Sequence, residues 1–180
     1  MRKIVAGLSV SLDGVTDSPP DWMMQSPEMD EVIHTGIAES DAILLGRNTY
    51  VDFARLWPGM GDSFPMAAFM NNTPKYVVSS TLTELDWNGS TLLGGDLAAE
   101  LTALKDKPGR NIQIPGSPKL VRSLLLAGLL DELSLLIHPI VLGSGARLFE
   151  EPSDRADLEL TASRTFGNGV ISVTYRPKRG

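Results

Sequence analysis

The chain contains no cysteine, which excludes a disulfide, a thiolate nucleophile and a zinc–thiolate site and fits a reducing cytoplasm. Its two histidines stand alone. His34 has no second histidine or acid cluster at metal-ligand spacing, and His138 is given no partner by the sequence, so both read as packed or structural and no metal is expected. A basic excess is also missing: the net charge is −6 with Lys and Arg scattered, which argues against a nucleic-acid surface. No apolar run reaches membrane-spanning length. The opening Met1-Arg2-Lys3 is followed by a short alternating run that leads into Asp13-Gly14, not into a cleavage site, so a soluble cytoplasmic protein is expected. No Pro/Ser/Gly-rich linker divides the 180 residues, 42% of them hydrophobic, and residues 1–180 read as one domain. No G-x-G-x-x-G follows the first strand, which argues against a Rossmann domain.

The densest hydrophobic sequence lies between Asn111 and Phe149. Ile112 to Ile114 reads as a strand ending in Pro115-Gly116-Ser117-Pro118, after which Leu120, Val121, Leu124, Leu125 and Leu129 recur at helical spacing. Ser117 suits the N-cap, Pro118 the first helical position and Gly128 the C-terminal cap. Gly116 has no Cβ to obstruct a phosphate approaching the unpaired N–H groups of the helix start, although a capped turn with no ligand satisfies the same residues. A second turn of this kind, Gly46-Arg47-Asn48-Thr49, follows the strand Asp41 to Leu45; glycine admits an anion, arginine supplies forked donors and Thr49 a hydroxyl. A third, Ser79-Ser80-Thr81, follows Tyr76 to Val78 and suits a sugar, a phosphate or a plain turn. Three strand-end turns with anion chemistry suit an extended ligand with separated phosphates, such as a dinucleotide.

Elsewhere, Ile4, Ala6, Leu8 and Val10 share one face of a first strand, with Val5 on the other, and Asp13 closes the turn after it or faces a ligand. The apolar loop Asp17 to Gln25, with Trp22, Met23 and Met24, lines a pocket for a flat ring or packs over the core. Ser26-Pro27-Glu28 starts a helix to about Glu39, with Val32, Ile33 and Ile37 inward. On it Asp30 is either a solvated first-turn acid or a cleft-bordering carboxylate that protonates a substrate. Leu56 to Asn72 reads as a long loop or irregular helix, Gly94-Gly95-Asp96 leads into a helix through about Lys105, and Gly167-Asn168-Gly169 joins two strands as a hairpin. Strands alternating with helices, then an antiparallel hairpin, predict a three-layer α/β domain with a mostly parallel sheet.

Taken in order, Ser11-Leu12-Asp13-Gly14, Leu45-Gly46-Arg47-Asn48-Thr49-Tyr50, Gly116-Ser117, Leu129-Leu130-Asp131-Glu132-Leu133, Pro139-Ile140-Val141-Leu142-Gly143-Ser144-Gly145 and Arg147-Leu148-Phe149 resemble the reductase-domain family of riboflavin biosynthesis, the RibD C-terminal type, over nearly the whole chain. The resemblance implies a dihydrofolate reductase-like fold, NADPH as hydride donor and a homodimer. It implies that Arg47 with Ser79 or Ser80 holds the adenosine 2′-phosphate, and that Gly46, Asn48 and Thr49 form the pyrophosphate turn. Gly116, Ser117 and Lys119 fall near the nicotinamide-side phosphate, and Asp13, Trp22 and Asp30 on the substrate side. Where riboflavin-pathway reductases carry an Asp-Asn-Pro-containing segment, this chain reads Tyr50-Val51-Asp52-Phe53-Ala54-Arg55, which implies a diverged substrate. Expected activities are reduction like that of 5-amino-6-(5-phosphoribosylamino)uracil, reduction of dihydrofolate, or NADPH binding without turnover.

Overall fold

The alternation of the first strand is repeated across the sheet. The computed structural model describes residues 1–17, 19–150 and 154–178. In β1 (Ile4–Ser11), Ile4, Ala6, Leu8 and Val10 enter an apolar cluster beneath α5 (Leu97–Asp106) and α6 (Pro118–Leu126). In β2 (Ser40–Gly46), Ala42 and Leu44 join that cluster, whereas Ile43 and Leu45 join a second one on the opposite face. The second cluster holds Tyr50 of α3 (Arg47–Met60), Phe69 and Met70 of α4 (Pro65–Asn72), and Trp87. Strands apolar on both faces need a helical layer on each side, which gives three layers. A smaller cluster of Met29, Phe166 and Val170 seats α2 (Pro27–Ala38) against Leu136.

The remaining strands are β3 (Lys75–Val78), β4 (Ser90–Leu93), β5 (Asn111–Pro115), β6 (Glu132–His138), β7 (Leu158–Thr165) and β8 (Ile171–Pro177). Eight strands lie in the order β4-β3-β2-β5-β1-β6-β8-β7. The first six are mutually parallel; β8 runs antiparallel to β6, and β7 to β8. The expected mostly parallel sheet with a C-terminal hairpin is therefore present. Asp131, in the Leu-Leu-Asp-Glu-Leu string, accepts the Ile4 N–H at 2.8 Å and the Lys105 ammonium at 2.6 Å, tying the start of β6 to β1 and α5.

Of the two readings of Leu56 to Asn72, loop or irregular helix, the helical one holds: α3 runs on through Pro58 to Met60, and Pro65 sits in the first turn of α4. A proline at a helix start loses no bond, so Pro and Gly content is a poor guide here. Asn71 fastens the pair, donating to the carbonyls of Trp57 at 2.9 Å and Gly61 at 2.8 Å. Within the expected loop from Asp17, Pro19–Trp22 forms a single helical turn, α1.

Candidate functional site

The parallel strands β4, β3, β2 and β5 lie side by side, so their carboxyl ends open on one edge of the sheet, and four turns follow those ends. A crevice of about 480 Å³ is bounded by Arg47 after β2, Ser79 and Ser80 after β3, Gly94 and Gly95 after β4, and Leu97 of α5. Arg47 is exposed, and among the described residues its guanidinium has no carboxylate partner. Ser79 is buried and shapes the turn: its Oγ accepts the N–H groups of Thr81 at 3.2 Å and Leu82 at 3.0 Å. Ser80 is exposed. The sequence had Gly94-Gly95 only as a lead-in to α5; the available signal was a glycine pair directly after a strand, where a side chain would narrow the crevice.

Next along the edge, two helix starts meet. Neither α3 nor α6 has a side-chain cap or an acid in its first turn, whereas α2 and α5 are capped by Ser26 and Asp96 and carry first-turn acids. Uncapped helix starts present unpaired N–H groups and the positive end of the dipole, the elements of an anion site. Ser117 occupies the N-cap position as expected, but its hydroxyl does not cap α6. Instead Oγ accepts the Gly46 N–H at 3.0 Å, joining the two turns. Ser117 adopts φ 52°, a left-handed conformation uncommon for a residue with a Cβ. Gly116, whose φ of 81° favours glycine, adjoins Thr49: a Cβ built on it would be in ordinary van der Waals contact with Thr49 Cγ2 at 3.5 Å. Gly46, Arg47, Asn48, Thr49, Gly116 and Ser117 thus form one continuous stretch, with Lys119 exposed on the first turn of α6.

The substrate-side residues are arranged differently. Asp13 accepts from the Ser11 hydroxyl at 2.6 Å and from the N–H groups of Leu142 at 3.1 Å and Gly143 at 2.9 Å. Those bonds, the Ser11 hydroxyl first, hold its carboxyl well below the usual carboxylate range. Asp13 therefore closes its own turn through Ser11 and also tethers the distant Pro139–Gly145 loop. Trp22 donates its indole N–H to the Asp17 carbonyl at 2.7 Å and stands edge-on to His138, with ring centroids 5.4 Å apart. His138 is fully buried and accepts the Met24 N–H on Nδ1 at 3.2 Å. Burial pushes its imidazole below the ordinary histidine value, so the ring is neutral and packed. Asp30 is exposed on α2, in a shallow depression with Glu31, His34 and Thr35 that shares no lining residue with the crevice. Among the described residues no cluster of His, Asp and Glu could hold a metal, and no helix is long and apolar enough to cross a membrane.

The RibD C-terminal domain profile matches residues 2–172. The uncharacterized protein YyaP of Bacillus subtilis (strain 168) is 31% identical over 97% of this chain and 94% of its own length. A candidate riboflavin biosynthesis protein from Shewanella sp. PV-4 superposes with a TM-score of 0.79 at 24% identity, covering 99% of this chain and all of the other. Dihydrofolate reductase from Enterococcus faecalis, complexed with NADP(H), superposes with a TM-score of 0.64 at 18% identity, covering 98% and 97% of the two chains. The fold is thus dihydrofolate reductase-like.

Proposed function

Because the chain belongs to the RibD C-terminal domain family, we propose that it is an NADPH-dependent oxidoreductase acting on a small heterocyclic or sugar-derived substrate with a polarised C=N or C=O. The carrying observation is the uninterrupted row of strand-end turns from Gly94 to Ser117, with an unneutralised arginine opening α3 and the two uncapped helix starts, α3 and α6, side by side after β2 and β5. NADPH bound there supplies a hydride from its nicotinamide ring. Arg47 and Ser80 hold the 2′-phosphate, and the buried Ser79 sets the turn that presents Ser80. Gly46, Asn48 and Thr49 take the pyrophosphate with the N–H groups of α3, while Gly116, Ser117 and Lys119 take the nicotinamide-side phosphate. The protein's work in the reaction is to set two rings face to face and keep water out.

Proton delivery is assigned to water, since Asp13 is committed to its loop and Asp30 is solvated. Asp30→Asn is accordingly expected to leave turnover within about threefold of the wild type; a loss of the hundredfold or more typical of a general acid would reinstate Asp30. The same lack of a poised acid favours a second reading, a module that binds NADPH without turnover. The test is quenching of Trp22, Trp57 or Trp87 fluorescence by NADPH, followed by NADPH consumption with 5-amino-6-(5-phosphoribosylamino)uracil and with dihydrofolate. Turnover of either names the enzyme; binding without turnover of either supports the module; absence of quenching and of turnover refutes both. The homodimer belongs to the same proposal, as do a cytoplasmic location and the absence of nucleic-acid partners. What supports a dimer is β7, an edge strand exposed along nearly its whole length, with Leu160 52% exposed.

A further inference from the structure

Resting on the NADPH reading above, we infer that the substrate joins a flat carbonyl-bearing head to an uncharged apolar arm, and that the arm lies along α3 against Phe53, Trp57 and Phe64. Three observations carry this. The first is where that track begins. Phe53 stands one helical turn after Thr49, and its ring tip, Cζ, lies 4.0 Å from where a Cβ on Gly116 would be, so the nicotinamide-side turn leads directly onto an aromatic surface. The second is that the surface continues outward. Phe53 is edge-on to Trp57 with ring centroids 5.9 Å apart, and Trp57 is tilted against Phe64 at 6.3 Å. Phe53 and Trp57 are half-buried, whereas Leu56, Met60 and Phe64 are 47%, 37% and 45% exposed. Large apolar side chains left in water beside one another mark a binding surface more often than scattered ones do.

The third observation is charge. The last turn of α3 has no basic residue. Arg55 is two positions from both Phe53 and Trp57, which at about 3.6 residues per turn puts it on another side of the helix, while the exposed Asp52 lies one turn before Leu56. A phosphate or carboxylate arm on this track meets an acid and no cation of α3, and it loses hydration against aromatic rings; an apolar arm gains by covering them. Both candidate substrates above carry such an anion, a phosphate on the ribose or the glutamate of dihydrofolate, so the track selects a different arm. A second copy of the chain is the other way to cover these side chains. What favours the substrate is that the surface starts at the cofactor's reacting end and recedes toward it, from the exposed Met60 and Phe64 to the half-buried Phe53.

The experiment uses the intact protein with saturating NADP+ and a series of para-substituted acetophenones, with methyl, ethyl, propyl and butyl arms and para-acetylbenzoate as the anionic member. The ketone head is constant and only the arm varies. In ligand-observed NMR titrations, affinity is expected to rise about twofold per methylene, below the roughly fourfold that complete burial gives. The wild type is expected to bind para-acetylbenzoate about tenfold or more weakly than the ethyl compound. Phe53→Ala is expected to flatten the alkyl series, and Met60→Lys, at an exposed position, to bring para-acetylbenzoate within about threefold of the ethyl compound, with melting temperatures as the control for folding. A flat series in the wild type, a rising series that Phe53→Ala leaves unchanged, or tighter binding of para-acetylbenzoate than of the ethyl compound overturns the inference and leaves the cofactor reading standing. An unchanged ratio in Met60→Lys that accompanies conversion of a dimer to a monomer in light scattering assigns the surface to a contact between copies and also overturns it. If the protein does not bind NADP+, the cofactor reading falls first and takes the substrate inference with it, whatever the series shows.

Discussion

Arg47 carries a charge that no carboxylate neutralises among the described residues, and it lines the same crevice as Ser80. An Arg–phosphate contact is a charge-assisted, forked bond, and only NADPH has the extra phosphate. Arg47→Ala should therefore weaken NADPH by about 10-fold to 100-fold while changing NADH by less than about threefold. Titration calorimetry with both cofactors checks it, and equal losses would show the guanidinium to be elsewhere. Lys75 is a different kind of cation. It is fully buried, donates to the carbonyls of Asn71, Thr73 and Asn88 at 2.9–3.1 Å, and lies 4.5 Å from the Trp87 ring centroid. Burial lowers its pKa from 10.5 to about 8. The sign follows: between about 8 and 10.5 the unfolded chain binds the extra proton, so this group makes stability rise with pH across that window and is flat below it. Urea midpoints at pH 7.5 to 10.5, compared with Lys75→Met, should show a rise in the wild type that the variant lacks. The opposite slope would mean that the carbonyls and the ring outweigh desolvation. Nothing in Thr73-Pro74-Lys75-Tyr76 announces this lysine as buried: the Asn71 and Thr73 carbonyls are local, but the Asn88 carbonyl and the Trp87 ring reach it only in the fold.

Among the elements, α3 and α6 matter most, and they were legible unequally. Gly46-Arg47 and Gly116-Ser117-Pro118 each mark a helix start in the sequence, but their hydroxyl-to-amide link at 3.0 Å joins residues far apart in the chain. The Ser117 hydroxyl was expected to cap its own helix; in the left-handed conformation it turns to Gly46 instead. The loop Pro139 to Gly145 shows the same limit. Gly143-Ser144-Gly145 reads as the start of a flexible loop, yet Asp13 fixes the Leu142 and Gly143 amides, Leu12 donates to the Ile140 carbonyl at 2.8 Å, and Gly145 leaves no room for a Cβ, which would lie 2.7 Å from Val15. Asp13→Ala should expose the Leu142 and Gly143 amides, speeding their hydrogen exchange by about tenfold or more while core amides of β1 stay protected. Unchanged exchange would mean that bonds other than those to the Asp13 carboxylate, such as the Leu12 N–H to the Ile140 carbonyl, hold the loop.

For the molecule as a whole, eight strands in one sheet share clusters that span β1, β2, β5 and both helices of one face. We therefore propose that the chain unfolds as one cooperative unit; calorimetry should give a single transition whose van't Hoff and calorimetric enthalpies agree, and two transitions would reveal separable parts. The exposed edge gives a second expectation at this scale. If β7 is where copies meet, Leu160→Lys should convert a dimer to a monomer in light scattering without lowering NADPH affinity, because β7 and the crevice lie at opposite ends of the strand order.

The sequence by itself determined the local grammar: which residues alternate across a strand, where helices begin, which strand-end turns carry glycine, and that the chain has no thiol chemistry. Those follow from bonds and packing between residues a few positions apart. Only the tertiary structure decided that Gly94 and Gly95 line one crevice with Arg47, that Asp13 is spent on a loop and Asp30 on solvent, and that Lys75 is buried. Each of these depends on strands distant in sequence being neighbours in the sheet, and that order is set by how the whole chain packs its two apolar faces.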